Sequence, residues 1–172
     1  MTARCFVDAN VFLYSRDPRD RAKQERANAW LDLLWRDDQG RTSMQVLTEY
    51  YYNATRKLKP AVPPDEAWKR VRTLFAWNPQ PIDEPLLRRA HEVEQRWRLS
   101  WWDSMVVAAA QLQDCAVLLT EDLQDGGVYG TVTARSPFTL SIEEPAPAYA
   151  VTPLALSSRH RPRGRPKRTA LA

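Results

Sequence analysis

The sequence predicts an α/β fold built on a central parallel sheet. Three observations predict it. Cys5-Phe6-Val7 is a short apolar run, too short for a helix, that stops on Asp8. Cys115 to Leu119 is a second such run, and it too ends at an acid, in Thr120-Glu121-Asp122. Between them lie several segments whose apolar residues recur at helical spacing. Open α/β sheets bind ligands beyond the carboxyl ends of their strands, which is where both acids fall.

The elements follow in order. After Asp8, Val11 to Ser15 begins a helix that Pro18 interrupts, and Asp17 or Asp20 can cap the next one. From Arg21 to Trp35, Ala27, Trp30, Leu31 and Leu34 form one apolar face. Asp37-Asp38-Gln39-Gly40 ends that helix, with Gly40 suited to a left-handed residue. Arg41 and Thr42 allow a very short strand, and Ser43 looks like an N-cap. The next helix carries Leu47, Tyr50, Tyr51, Ala54 and Leu58 inward, with Gln45, Glu49 and Asn53 four apart on a polar stripe.

Lys59-Pro60 and Pro63-Pro64 break the chain, and Asp65 opens a helix with Ala67, Val71, Leu74 and Phe75 inward. Trp77 to Ile82 is a connection with room for a short edge strand, and Pro85 to Trp97 is helical. Ser100-Trp101-Trp102-Asp103 starts a helix that is apolar almost all round from Met105 to Leu112, as a central buried helix is. After the second strand, Gly126-Gly127 turns the chain and Val128 to Ala134 fits a hairpin or edge strand. Pro137-Phe138, Leu140 and Ile142 close a domain expected to span 1–142. Beyond it, 143–172 is rich in Pro and Arg and reads as a disordered tail.

Composition narrows the function. The chain has 172 residues, 44% of them hydrophobic, and seven Trp, enough for one real core. No run of eighteen apolar residues predicts a transmembrane helix, and the N-terminus has no signal-peptide pattern. Cys5 and Cys115 are isolated thiols in apolar runs, which points to a reducing, cytoplasmic location. His91 and His160 are the only histidines, so a Cys/His zinc site is not expected. An oxygen-ligated Mg²⁺ or Mn²⁺ is. The net charge of +4 belongs to the tail: Arg159 to Ala172 holds six basic residues and no acid. The rest has nineteen basic and twenty-one acidic residues, so its surface is not broadly cationic.

Four acids sit at comparable places: Asp8, Glu49, Asp103 and Asp122. Gathered in one cleft they would repel one another until a cation neutralised them, the chemistry a phosphodiester nuclease needs. Each also has a plainer reading. Asp8 and Asp122 fit helix caps, Glu49 a solvated helix face, and Ser100-x-x-Asp103 a capping box.

Four segments carry a resemblance. They are Phe6-Val7-Asp8-Ala9-Asn10-Val11-Phe12-Leu13-Tyr14, Gln45-Val46-Leu47-Thr48-Glu49-Tyr50-Tyr51, Trp102-Asp103-Ser104-Met105-Val106-Val107-Ala108-Ala109-Ala110, and Leu118-Leu119-Thr120-Glu121-Asp122-Leu123-Gln124-Asp125-Gly126. In this order they resemble the PIN-domain family, and within it the VapC-like toxins of toxin–antitoxin pairs. The resemblance implies a three-layer α/β/α fold with helices on both faces of the sheet. It implies a Mg²⁺- or Mn²⁺-dependent endoribonuclease in which Asp8, Glu49, Asp103 and Asp122 are the catalytic, metal-binding acids. Asn10 and Thr120 match supporting polar residues, and Asp125 an outer one. In the family, water attacks phosphorus in line and leaves a 5′-phosphate and a 3′-hydroxyl. It further implies a homodimer held inactive by a small antitoxin. Arg16, Arg56 and Lys57 are candidate RNA contacts or ordinary surface charges.

The tail segment Arg161-Pro162-Arg163-Gly164-Arg165-Pro166-Lys167-Arg168 resembles an AT-hook. An extended Arg-Gly-Arg strand suits a narrow minor groove; a plain basic tail would bind any polyanion. Arg161, Arg163, Gly164, Arg165, Lys167 and Arg168 are therefore candidate nucleic-acid contacts, and DNA a candidate partner. The alternative to an enzyme is a nucleic-acid-binding module in which this tail does the binding. A haloacid-dehalogenase-type phosphatase also opens with a strand and an Asp, but needs a second Asp where Asn10 stands.

Overall fold

The structure is a computed structural model that describes residues 3–142. Its elements are β1 (Cys5–Val7), α1 (Ala9–Tyr14), α2 (Arg21–Arg36), β2 (Gly40–Arg41), α3 (Met44–Arg56) and α4 (Pro64–Leu74). There follow α5 (Glu84–Trp97), α6 (Trp101–Leu112), β3 (Val117–Leu119), β4 (Val128–Tyr129) and β5 (Val132–Arg135). The helix starts are set by side-chain caps. Asp8, Asp20, Ser43, Asp83 and Ser100 each accept a backbone N–H in the first turn of α1, α2, α3, α5 and α6.

The sheet order is β2-β1-β3-β5-β4. β1 pairs parallel with β2 and β3, β3 parallel with β5, and only β4 runs antiparallel. Every residue of β1 and β3 is buried. Successive strand residues face opposite ways, so both faces of the sheet centre are covered. On one side α6 lies on β3 and β5 and packs against α5, while α1 to α4 form a second packed group. The chain leaves β1 for β2 on one flank and later returns to β3 on the other. That reversal opens a crevice at the carboxyl ends of β1 and β3.

Several expectations need correction. Gly40 is not the left-handed residue; Asp38 takes that conformation at φ 53°. Gly40 lies in β2, where a Cβ would stand 2.2 Å from Cζ2 of Trp77, so the close approach of the indole is what requires glycine. Phe75 is 41% exposed: a 3-10 turn over Phe75–Trp77 rotates it outward and buries Trp77 instead. The edge strand expected in the following connection is a single parallel bridge, Ser43 to Gln80. The second strand starts at Val117, because the Cys115 N–H is already committed to Ala110 O at the end of α6. Asp122 caps no helix; it lies in a bend. The Pro137–Leu140 segment is held by α2: Arg26 donates to the carbonyls of Pro137 and Leu140, and the Trp30 indole N–H donates to Pro137. The proposed tail and its basic residues lie outside the described residues.

Candidate active site

The crevice is built around Asp8. Its backbone N–H donates to Leu119 O at 3.1 Å, so the ends of β1 and β3 are stitched together. Its carboxylate accepts the Ala9 N–H at 2.7 Å and the Thr120 hydroxyl at 2.7 Å. Only 6% of Asp8 is exposed. Burial pushes its pKa up to about 7; the bonds from Thr120 and Ala9 resist the rise, and the charges of Asp122 and Glu49 add to it.

Thr120 is the hub of the site. Its hydroxyl donates to Asp8 and accepts from the Asp122 N–H at 3.0 Å and the Asn10 amide at 3.1 Å. Only a hydroxyl can give its hydrogen to one acid and still accept on its lone pairs. The Asn10 amide also donates to the Asp122 carboxylate at 3.0 Å, linking the loop after β3 to α1.

Glu49 enters from α3 and is solvent-exposed at the rim. Desolvation and the charge of Asp122 raise its pKa, Lys57 opposes the rise and Asp103 adds to it. Asp103 occupies the first turn of α6. The Ser100 hydroxyl donates to its carboxylate at 2.7 Å and accepts its N–H at 3.1 Å, so the capping reading holds for this acid. The four acids thus share one electrostatic neighbourhood, graded from buried Asp8 to exposed Glu49 and Asp122. Among the described residues no three acids, histidines or cysteines stand close enough to enclose a metal ion. The site is an open acidic cleft, with donors that are all oxygen. The Asn10 Oδ1, in the same network, is buried and has no hydrogen-bond partner. Such a set suits a hard cation that keeps much of its water, as Mg²⁺ does, better than a fully dehydrated one.

The remaining sequence candidates separate clearly. Asp125 turns away from the cleft: it accepts from Arg135, from the Ser136 N–H and from the Thr139 hydroxyl. Burial works against its ionised form, but these bonds outweigh it and hold the pKa below the usual range. Arg16 is paired with Glu66 at 2.6 Å, and Arg56 stacks over the Tyr52 ring. Lys57 alone of the three belongs to the cleft, sharing with Asn10, Tyr14 and Asn53 a groove of 340 Å³. Sequence reasoning missed Lys23, whose ammonium pairs with Glu121 at 2.6 Å and sits over the Tyr14 ring. This tether fixes Glu121 to α2. The partners are 98 residues apart, and no local pattern signals the pair.

Comparison with known proteins agrees with this architecture. No curated protein matches the sequence. Among solved structures, FitAB bound to the IR36 DNA fragment superposes with a TM-score of 0.64 at 22% identity, over 81% of this chain and 99% of that one. A toxin–antitoxin complex from Klebsiella pneumoniae gives 0.55 at 18% identity, over 77% and 97%. VapC20 of Mycobacterium tuberculosis, a sarcin–ricin loop cleaving toxin, gives 0.54 at 19% identity, over 69% and 91%. At these identities the likeness is one of fold. The PIN-domain profile matches residues 5–124, from the first residue of β1 past Asp122 and so across all four acids. On that match this chain belongs to the PIN-domain family.

Proposed function

We propose that the protein is a metal-dependent endoribonuclease that acts as the toxin of a toxin–antitoxin pair. The observation that carries this reading is Asp8, a buried carboxyl with a pKa near 7, facing three further acids across the carboxyl ends of β1 and β3. So much uncompensated negative charge is costly unless a cation joins it. Asp8, Glu49, Asp103 and Asp122 would hold Mg²⁺ or Mn²⁺. Such an ion supplies an acidified water and stabilises charge on a phosphate. The chain's own part is to orient the acids. Thr120 fixes the Asp8 carboxylate, Asn10 ties Asp122 to the same hydroxyl, and Ser100 fixes Asp103. Lys57, beside Glu49, offers a cation to the phosphate backbone.

Two of the structurally similar proteins are described as a toxin–antitoxin complex and as a toxin that cleaves the sarcin–ricin loop. They support RNA as substrate and a small antitoxin as partner for this chain, which we take to act as a homodimer. The test is cleavage of purified total RNA with Mg²⁺ or Mn²⁺ added. Cleavage should need the metal and fall by about a hundredfold or more in Asp8→Asn, where the amide cannot replace the anion. Undiminished cleavage by Asp8→Asn would overturn the reading.

A further inference from the structure

A second polar cavity, of 620 Å³, opens between the end of α1, α2, α3 and α4, apart from the acidic cleft. Its walls carry Arg16, Tyr50, Glu66, Lys69 and Arg70. Three cations therefore face one acid, and Glu66 is taken by Arg16 at 2.6 Å. Arg70 forms no hydrogen bond or ion pair among the described residues, and its Nε is buried without a partner. Tyr50 is 1% exposed and its hydroxyl likewise has no hydrogen-bond partner among the described residues. Its ring is committed to the core, edge-on to Phe12 at 6.1 Å. The Arg70 Nε is buried with no protein partner, and the Tyr50 hydroxyl opens into the same cavity with none, so both can meet a ligand there. Desolvation depresses the Arg70 pKa, with Arg16 adding to the strain and Tyr50 and Asp32 opposing it. A dianionic or monoanionic oxygen ligand would satisfy all of these groups at once.

The cavity is linked to the cleft by two shared elements. Arg16 follows α1, whose N-cap is Asp8, so about 12 Å of helical rise separates them. Tyr50 follows Glu49 on α3. A strand of RNA cut at the cleft spans such a distance in a few nucleotides. We propose that Tyr50, Lys69 and Arg70, with Arg16, form a subsite for a backbone phosphate of the RNA substrate, away from the bond that is cut. This rests on the ribonuclease reading and adds to it the residues that hold the substrate outside the cleft. It also answers how a chain without a broad cationic surface retains RNA.

The test uses the full chain carrying Asp8→Asn, so that RNA stays intact, with Mg²⁺ and a labelled single-stranded RNA of mixed sequence. Affinity is followed by fluorescence anisotropy over a range of salt. Arg70→Gln should weaken binding about tenfold and lower the salt slope by about 1. Tyr50→Phe, which keeps the ring packing, should weaken binding in the same direction. Arg70→Met should raise the melting temperature of the free protein while losing RNA affinity, the reverse of what a purely structural arginine would do. Wild-type cleavage of total RNA, run alongside, separates the two possible failures. Absent cleavage brings down the ribonuclease reading and this subsite with it. Cleavage that persists, with RNA affinity and salt slope unchanged by Arg70→Gln and Tyr50→Phe, overturns the subsite alone.

Discussion

At the scale of single residues, Asp8 couples stability to pH. Its folded pKa is about 7 against an ordinary 3.8. Below the ordinary value both the folded and unfolded chains carry the proton. As the pH rises, the unfolded chain ionises first while the folded one keeps its proton. The metal-free protein therefore loses stability progressively up to the folded pKa, by on the order of 4 kcal/mol in full. Thermal melts in a chelating buffer should show this decline between about pH 4 and 7, and Asp8→Asn should flatten it and exceed the parent in stability at pH 8. Parallel pH profiles for the two proteins would mean that Asp8 is not the source. The position of this acid was legible in the sequence, because an apolar run that stops on Asp marks a strand end. Its burial was not, since that depends on Thr120 arriving from 112 residues away.

At the scale of elements, legibility followed the strength of the periodic signal. α2 and α5 carry regular apolar faces and capping residues, and the sequence located both within about two residues. β2 and β4 have two residues each, too few for any period, and exist because a neighbouring strand offers its edge. The exchange of Phe75 for Trp77 shows a related limit: both are aromatic, and only the tightening of the chain into a 3-10 turn decides which one is buried. Trp77 in turn explains Gly40. The indole lies against the β2 backbone and packs on Trp35 at 5.0 Å and Phe12 at 6.1 Å, so it cannot retreat easily. Gly40→Ala should cost about 1–3 kcal/mol through overpacking, read as a lower denaturant midpoint. The penalty should shrink when Trp77→Leu is already present, as a double-mutant cycle measures. Additive effects would show that the close approach is not what requires glycine.

At the scale of the whole molecule, the sequence singled out four candidate acids one by one, after β1, within α3, in the first turn of α6 and after β3, but how they meet was not legible. Lys23 and Glu121 tether the loop after β3, and Arg26 and Trp30 hold the closing segment at Pro137 and Leu140. These contacts join residues about a hundred positions apart and leave no trace in local pattern. They also predict what the chain keeps when it is shortened. A protein stopped after Glu144 retains every one of those bonds, so its melting temperature should stay within a few degrees of the full chain. It loses six basic residues and no acid, which turns a net charge of +4 into −2. Metal-dependent cleavage, which depends on the cleft, should survive. RNA affinity should fall most at low salt, and the salt slope should shrink by up to about 4 if all six charges meet a single strand. A truncated chain with the same slope as the full one would mean that the tail touches no RNA. In that case the groups that bind RNA lie within the folded body, with Lys57 at the cleft and Arg16, Lys69 and Arg70 at the second cavity the first to test.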